Sequence, residues 1–232
     1  MTAVARLDPS ALRALPALAP FLVRPAGAPA RRPTTATGLP PLDALLGGGF
    51  PRGRIAEVVG PRGAGRTSLV LAGLARATTA GGLVALVDAA DGLDPASAAA
   101  CGIALPQLLW VRCGGDVRTA IQATDVVVQG GGFELVAVDF GDVAPWALAR
   151  VPAAAFVRLQ RAVEGTPTAL VFAGPRRVAG SMATVAVALT PARPVWRRGG
   201  PGLLGALATE ARLIRSREHA PGASVRLTWA TA

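Results

Sequence analysis

Gly60, Gly63, Gly65, Arg66, Thr67 and Ser68 stand within Gly60-Pro-Arg-Gly-Ala-Gly-Arg-Thr-Ser68, a stretch with the glycine spacing of a phosphate-binding loop. Glycines let backbone approach phosphate oxygens, and amides at the start of a following helix supply donors and partial positive charge. The Thr67 hydroxyl is of the type that ligates magnesium in such loops. In G-x-x-x-x-G-K-[ST], however, the lysine position is Arg66, and the chain contains no lysine at all. A planar guanidinium fork does not replace a compact ammonium in a tight loop. The frame is kept and its phosphate-reaching cation is changed.

An apolar run at residues 54–59 leads into this loop and a helical stretch at 67–79 leaves it. Further strands are expected at 83–88, 108–111, 135–139 and 168–172, and helices at 95–101, 117–129 and 153–163. This alternation predicts an α/β fold, a mostly parallel sheet with helices on both faces. Ligands of such sheets sit beyond the carboxyl ends of the strands, where the Gly60 loop, Asp88 and Asp139 gather. Residues 185–189, 211–216 and 225–229 read as strands without long helices between them, an antiparallel C-terminal extension. The front divides off as an N-terminal arm and linker, 1–40, from a core domain, 41–232. A short helix is expected to start at Asp8 and end near Pro16, and 24–41 is Pro-, Ala-, Arg- and Thr-rich. The arm reads either as a disordered leader or as a docking segment for a neighbouring subunit or partner.

Composition bounds function mainly by exclusion. The chain has 232 residues, 51% of them hydrophobic, and a net charge of +10 carried by arginine. That charge suits nucleic acid or an acidic protein, but arginine-biased composition weakens the inference. No uninterrupted apolar run suggests a membrane span, and Pro16 and Pro20 interrupt the only signal-like stretch, so a cytoplasmic protein is expected. Cys101 and Cys113 lack metal-ligand spacing and read as reduced, partly buried thiols. With His219 the single histidine, a multi-histidine metal centre is excluded and a Ser-His-Asp triad is not expected.

Three further segments carry a family likeness. Residues 37–60 open Thr37-Gly-Leu-Pro-Pro-Leu-Asp43 and close Ile55-Ala-Glu-Val-Val-Gly60, which resembles the entry to the RecA recombinase core. Leu86-Val-Asp-Ala-Ala-Asp-Gly-Leu-Asp-Pro95 is similar to the RecA segment bearing the catalytic glutamate. Glu210-Ala-Arg-Leu-Ile-Arg-Ser-Arg-Glu-His-Ala-Pro221 resembles its late strand with basic residues at the subunit interface. The short length and altered motifs look most like the ImuA family, RecA-like accessories of SOS mutagenesis. The resemblance makes Gly60, Gly65 and Thr67 phosphate-loop residues, Asp139 the Walker B aspartate, and Asp94 a residue facing adenine. It also marks departures. Ala90 stands at the catalytic glutamate, so no carboxylate orients the attacking water there, and Asp91 is expected to point elsewhere. Ser97 stands at the adenine-stacking aromatic, and Gly174-Pro175 at the glutamine that couples nucleotide to DNA.

In RecA, loops after the Walker B strand and after the next strand hold single-stranded DNA; residues 141–152 and 174–181 correspond and are short. Arg176, Arg177, Arg193, Arg197 and Arg198 form a candidate DNA or partner contact, equally readable as a solvated basic face. Arg215 and Arg217 match RecA residues that reach a neighbour's nucleotide and here suit an acidic protein surface. Trp110 and Trp229 are expected to pack near the core; Trp146 and Trp196 are interface candidates.

The resemblance implies a RecA-like accessory that is not an enzyme, with a vestigial nucleotide site, no catalytic or metal residues and no obligatory cofactor. ATP with magnesium remains the cofactor such a loop would take. The implied partner is an ImuB-type protein, an inactive homologue of Y-family polymerases, with RecA and an error-prone C-family polymerase as further partners. Weak single-stranded DNA binding is compatible, and no membrane role is expected. Two alternatives stay open: a minimal DNA-dependent ATPase or recombinase using Arg66, and a cell-division inhibitor of the SulA type.

Overall fold

The computed structural model describes residues 33–197 and 202–230. Contacts divide the chain into Met1–Arg32 and Pro33–Ala232. The first unit, with the helix expected after Asp8, lies outside the described residues, as does Arg198. The core begins at Pro33, earlier than the boundary at 41 read from the sequence. Strand β1 (Thr34–Thr35) pairs antiparallel with β2 (Phe50–Pro51). Thr35 and Thr37 are buried, and the Thr37 amide donates to Asp43 Oδ1 at 2.7 Å in helix α1 (Pro40–Leu45). Proline and alanine content suggested a linker here, but the β-branched threonines join the sheet-side packing.

Then come β3 (Ile55–Val59), α2 (Arg66–Thr79), β4 (Val84–Asp88), α3 (Pro95–Ala100), β5 (Leu108–Arg112), α4 (Val117–Gly130) and β6 (Leu135–Asp139). After them follow α5 (Pro145–Ala149), α6 (Ala153–Val163), β7 (Ala169–Gly174), β8 (Ala183–Leu189), β9 (Arg193–Trp196), β10 (Leu204–Ser216) and β11 (Ser224–Ala230). Among the described residues the main sheet runs β11-β10-β8-β3-β7-β6-β4-β5, with β9 also on β10. Every residue of β3, β4 and β6 is buried, as expected of parallel strands covered on both faces. In α2 the buried residues Arg66, Leu69, Val70, Gly73, Leu74 and Ala77 recur at helical spacing and face the sheet. With α1 and α3 this helix covers one core layer. Helices α4 and α6 cover the other, around Phe172, which stacks on Phe140 and meets Phe156 edge-on. Fully burying each such ring is worth roughly 1.5–3 kcal/mol.

The antiparallel extension is formed by β9, β10 and β11. Strand β8, expected within it, joins it on one edge, pairing antiparallel with β10, and on the other edge pairs parallel with β3. The chain must therefore return from the end of β7 to the start of β8 over residues 175–182, without a helix. Glu57, in the middle of β3 and 1% exposed, makes this possible. Its Oε1 accepts from the amides of Val178 and Ala179 at 2.6 and 2.8 Å, and its Oε2 from Arg177 Nε at 2.8 Å. A buried carboxylate thus pins a crossover that has no helix to hold it. At the other end of the parallel strands Asp88 and Asp139 lie in register, so the loops that follow them open toward the phosphate loop.

Candidate phosphate-loop site

The loop leaves β3 at Gly60 and enters α2 at Arg66. A Cβ at Gly60 would lie 2.8 Å from the Leu189 carbonyl oxygen, so this turn admits only glycine. Gly65 is the N-cap with φ +90°, and no side chain caps the first turn of α2. Its open side is covered by Trp229 of β11: a Cβ at Gly65 would meet the indole Nε1 at 2.6 Å. Arg62, Gly63, Arg66, Thr67, Asp142 and Trp229 are among the residues lining a cleft of about 290 Å³, and Gly65 and Ser68 line it too.

Arg66 is 7% exposed and its Nη2 donates to Asp142 Oδ1 at 2.9 Å. Arg62, itself open to solvent, pairs with Oδ2 of the same carboxylate at 3.1 Å. Asp142 therefore draws both arginines of the loop. Below it, Thr67 Oγ1 donates to Asp139 Oδ2 and the Gly141 amide to Asp139 Oδ1, both at 2.8 Å. Burial pushes the Asp139 carboxyl above its ordinary value, against the lowering effect of the Gly141 and Thr67 hydrogen bonds. The turn that carries Asp142 rests on Ala90: a Cβ at Gly141 would come within 2.8 Å of the Ala90 methyl. A small residue at position 90 therefore leaves room for the Gly141–Asp142 turn to fold over the loop.

Other expected site residues are engaged elsewhere. Asp94 caps α3, accepting from the Ser97 amide at 2.9 Å and its hydroxyl at 2.6 Å, and neither residue lines the cleft. The Ser97 hydroxyl, then its amide, holds the Asp94 carboxyl below its ordinary value. Asp88 accepts from the amides of Gly92 and Leu93 and from Trp110 Nε1, ordering the loop after β4. Asp91, at φ +55°, turns toward β5 and accepts from Arg112, Cys113 and Gly114. Cys113 is buried while Cys101 is exposed rather than partly buried.

The expected basic cluster does not assemble as one patch. Arg177 is committed to Glu57. Arg215 donates from Nε to the Ala183 carbonyl at 2.7 Å and from Nη2 to that of Ser181, at the end of β8 away from the phosphate loop. Arg217 follows it on that side. Arg176 and Arg193 are exposed near the other end, after β7 and β8; Arg197 is also exposed. Trp146 and Trp196 are 63% and 57% exposed, Trp146 with Arg150 over its ring.

The residues present fit a magnesium nucleotide only in part. Thr67 and Asp139 stand as a metal-holding pair would, but the cation at the lysine position is turned onto Asp142 and Ala90 offers no carboxylate. Asp142, Trp229 and Glu57 were missed as important residues. Only Asp142 left a trace in the sequence, an acid just past Asp139 in a chain whose phosphate loop carries Arg62 and Arg66.

The RecA N-terminal domain family matches residues 30–172. RecA of Deinococcus radiodurans is 36% identical over 151 residues, 59% of this chain and 41% of that protein. RecA of Prochlorococcus marinus is 41% identical over 106 residues, 46% of this chain and 29% of that protein. The chain thus spans less than half the length of these curated relatives. The crystal structure of the RadB recombinase superposes with a TM-score of 0.61 at 20% identity, over 83% of this chain and 94% of that one. Among the described residues no helix is long and apolar enough to cross a membrane.

Proposed function

The chain belongs to the RecA family, and from that premise we propose that it is a non-hydrolysing RecA-like accessory of DNA damage-induced translesion synthesis, of the ImuA type. One observation carries this reading: Arg66, at the position of the phosphate-reaching lysine, is bound to Asp142. The exchange of glutamate for Ala90 and the commitment of Asp94 to Ser97 support it. With the phosphate cation neutralised internally and no carboxylate to orient water, what survives of the RecA core is its shape and surface.

By resemblance the protein partner is an ImuB-type inactive Y-family polymerase homologue, and RecA is a second candidate. The test is size-exclusion co-elution and affinity measurement with each at low salt. Association with neither partner contradicts the proposal.

A second reading has one observation in its favour. Thr67 and Asp139 keep the pairing that precedes magnesium binding, which suits a minimal DNA-dependent ATPase. Phosphate release stimulated by single-stranded DNA and abolished in Thr67→Ala would establish it.

A further inference from the structure

We propose that the phosphate-loop cleft and the apolar sheet face beside it form a docking surface for a protein segment that presents a carboxylate side chain next to large apolar residues. This rests on the reading that the chain acts by binding a protein partner.

Two orphaned donors carry the polar half. Arg66 is 7% exposed, and among the described residues its Nη1 has no hydrogen-bond partner; Trp229 Nε1, also buried, has none there either. Both residues line the one cleft. Buried N–H groups are rarely left unpaired, and two such donors on residues that line one cleft call for an acceptor, best an anionic one. The uncapped first turn of α2 adds positive potential there. Asp142 already occupies Arg66 Nη2, so the anion that fits beside it carries little charge. A triphosphate placed there would face the Asp142 carboxylate, whereas one carboxylate can take the two free donors.

The apolar half follows from register. Pro194 pairs with Leu207, and Leu207 with Trp229, so the three share one face; Trp196, two residues beyond Pro194, shares it too. Trp196 is 57% exposed and Leu207 36%, and Leu207 and Trp229 reach the cleft wall. An exposed tryptophan and leucine running into a cationic socket match the composition of binding hot spots. The excess of arginine over acidic residues, with net charge +10, favours an acidic occupant over a basic one.

The test pans a displayed random-peptide library against the full chain, then measures recovered peptides on the native protein, Arg66→Gln, Trp196→Ala and Leu207→Ser. The last two alter exposed side chains and report on the surface even where Arg66→Gln fails to fold. The expected peptides place Asp or Glu beside Leu, Phe or Trp. They weaken about tenfold or more on each folded variant, and equally when their acid is made an amide. Magnesium ATP and orthophosphate should fail to displace them. Neutral or basic peptides, no recovered peptide, insensitivity to the variants, or displacement by ATP would overturn the proposal, the last by making the cleft a nucleotide site. A partner that binds the native chain and all three variants equally sinks this surface and leaves the function standing. No partner binding to the native chain sinks the function itself.

Discussion

Arg66 and Asp142 meet across the mouth of the phosphate loop at 2.9 Å, with Arg62 on the opposite oxygen of the same carboxylate. The geometry sets an internal acid against the cation that a nucleotide would need. Removing that acid is therefore the most informative single change at the loop. In Asp142→Ala, pyrophosphate affinity should rise about tenfold, the equivalent of one charge-assisted hydrogen bond of ~1.4 kcal/mol regained by Arg66. Isothermal titration of both proteins measures it. Unchanged or weaker affinity would mean that Asp142 does not restrain Arg66.

Glu57 should matter to folding as much as Asp142 matters to binding. Glu57→Ala leaves the Val178 and Ala179 amides and Arg177 without their acceptor, at a cost of about 3 kcal/mol or more. Glu57→Gln keeps one acceptor oxygen and should lose less. Urea unfolding of the three proteins gives the order native, Gln, Ala.

Asp139 gives a pH signature. Its carboxyl is raised above the ordinary 3.8, mainly by burial, so the folded chain holds that proton more tightly than the unfolded chain. Its contribution to stability therefore falls as pH rises from the unfolded value through the folded one. Asp139→Asn removes this dependence but leaves one acceptor oxygen for the two donors, the Gly141 amide and the Thr67 hydroxyl. The variant should be the less stable near pH 4 and gain on the native protein as pH rises. Thermal unfolding across that range checks the sign, and a difference that widens with pH would refute it.

Arg215 should behave as a structural residue. Its two hydrogen bonds to the Ala183 and Ser181 carbonyls tie β10 to the start of β8. Arg215→Ala should cost about 1–2 kcal/mol of stability and leave low-salt binding of single-stranded DNA unchanged. Arg176→Ala with Arg193→Ala is the contrasting pair, both exposed and, among the described residues, without comparable ties. Fluorescence anisotropy at two salt concentrations separates the two cases.

Much of the fold was legible because it repeats locally. The alternation of apolar runs and helical stretches located α2, α4, α6 and the strands ending in Asp88 and Asp139 to within a residue or two. Strand β8 looked like its antiparallel neighbours because periodicity carries no strand direction. Its parallel pairing depends on Glu57 holding a crossover from residues more than a hundred positions away. The loop's chemistry was legible from spacing. What Arg66 binds, and that Trp229 covers Gly65, were not, since both depend on side chains brought together only by the finished sheet. Asp94 was assigned by likeness to a ligand-facing role, whereas its short side chain bonds Ser97, a local option open to any aspartate before a helix.

The most direct test of the central claim is titration of a fluorescent ATP analogue with magnesium into the purified protein, with phosphate release followed with and without single-stranded DNA. The account predicts no phosphate release in either condition, and at most weak analogue binding that strengthens in Asp142→Ala. Phosphate release by the native protein, stimulated by DNA and lost in Thr67→Ala, would contradict it and make this chain a working ATPase with arginine in its phosphate loop.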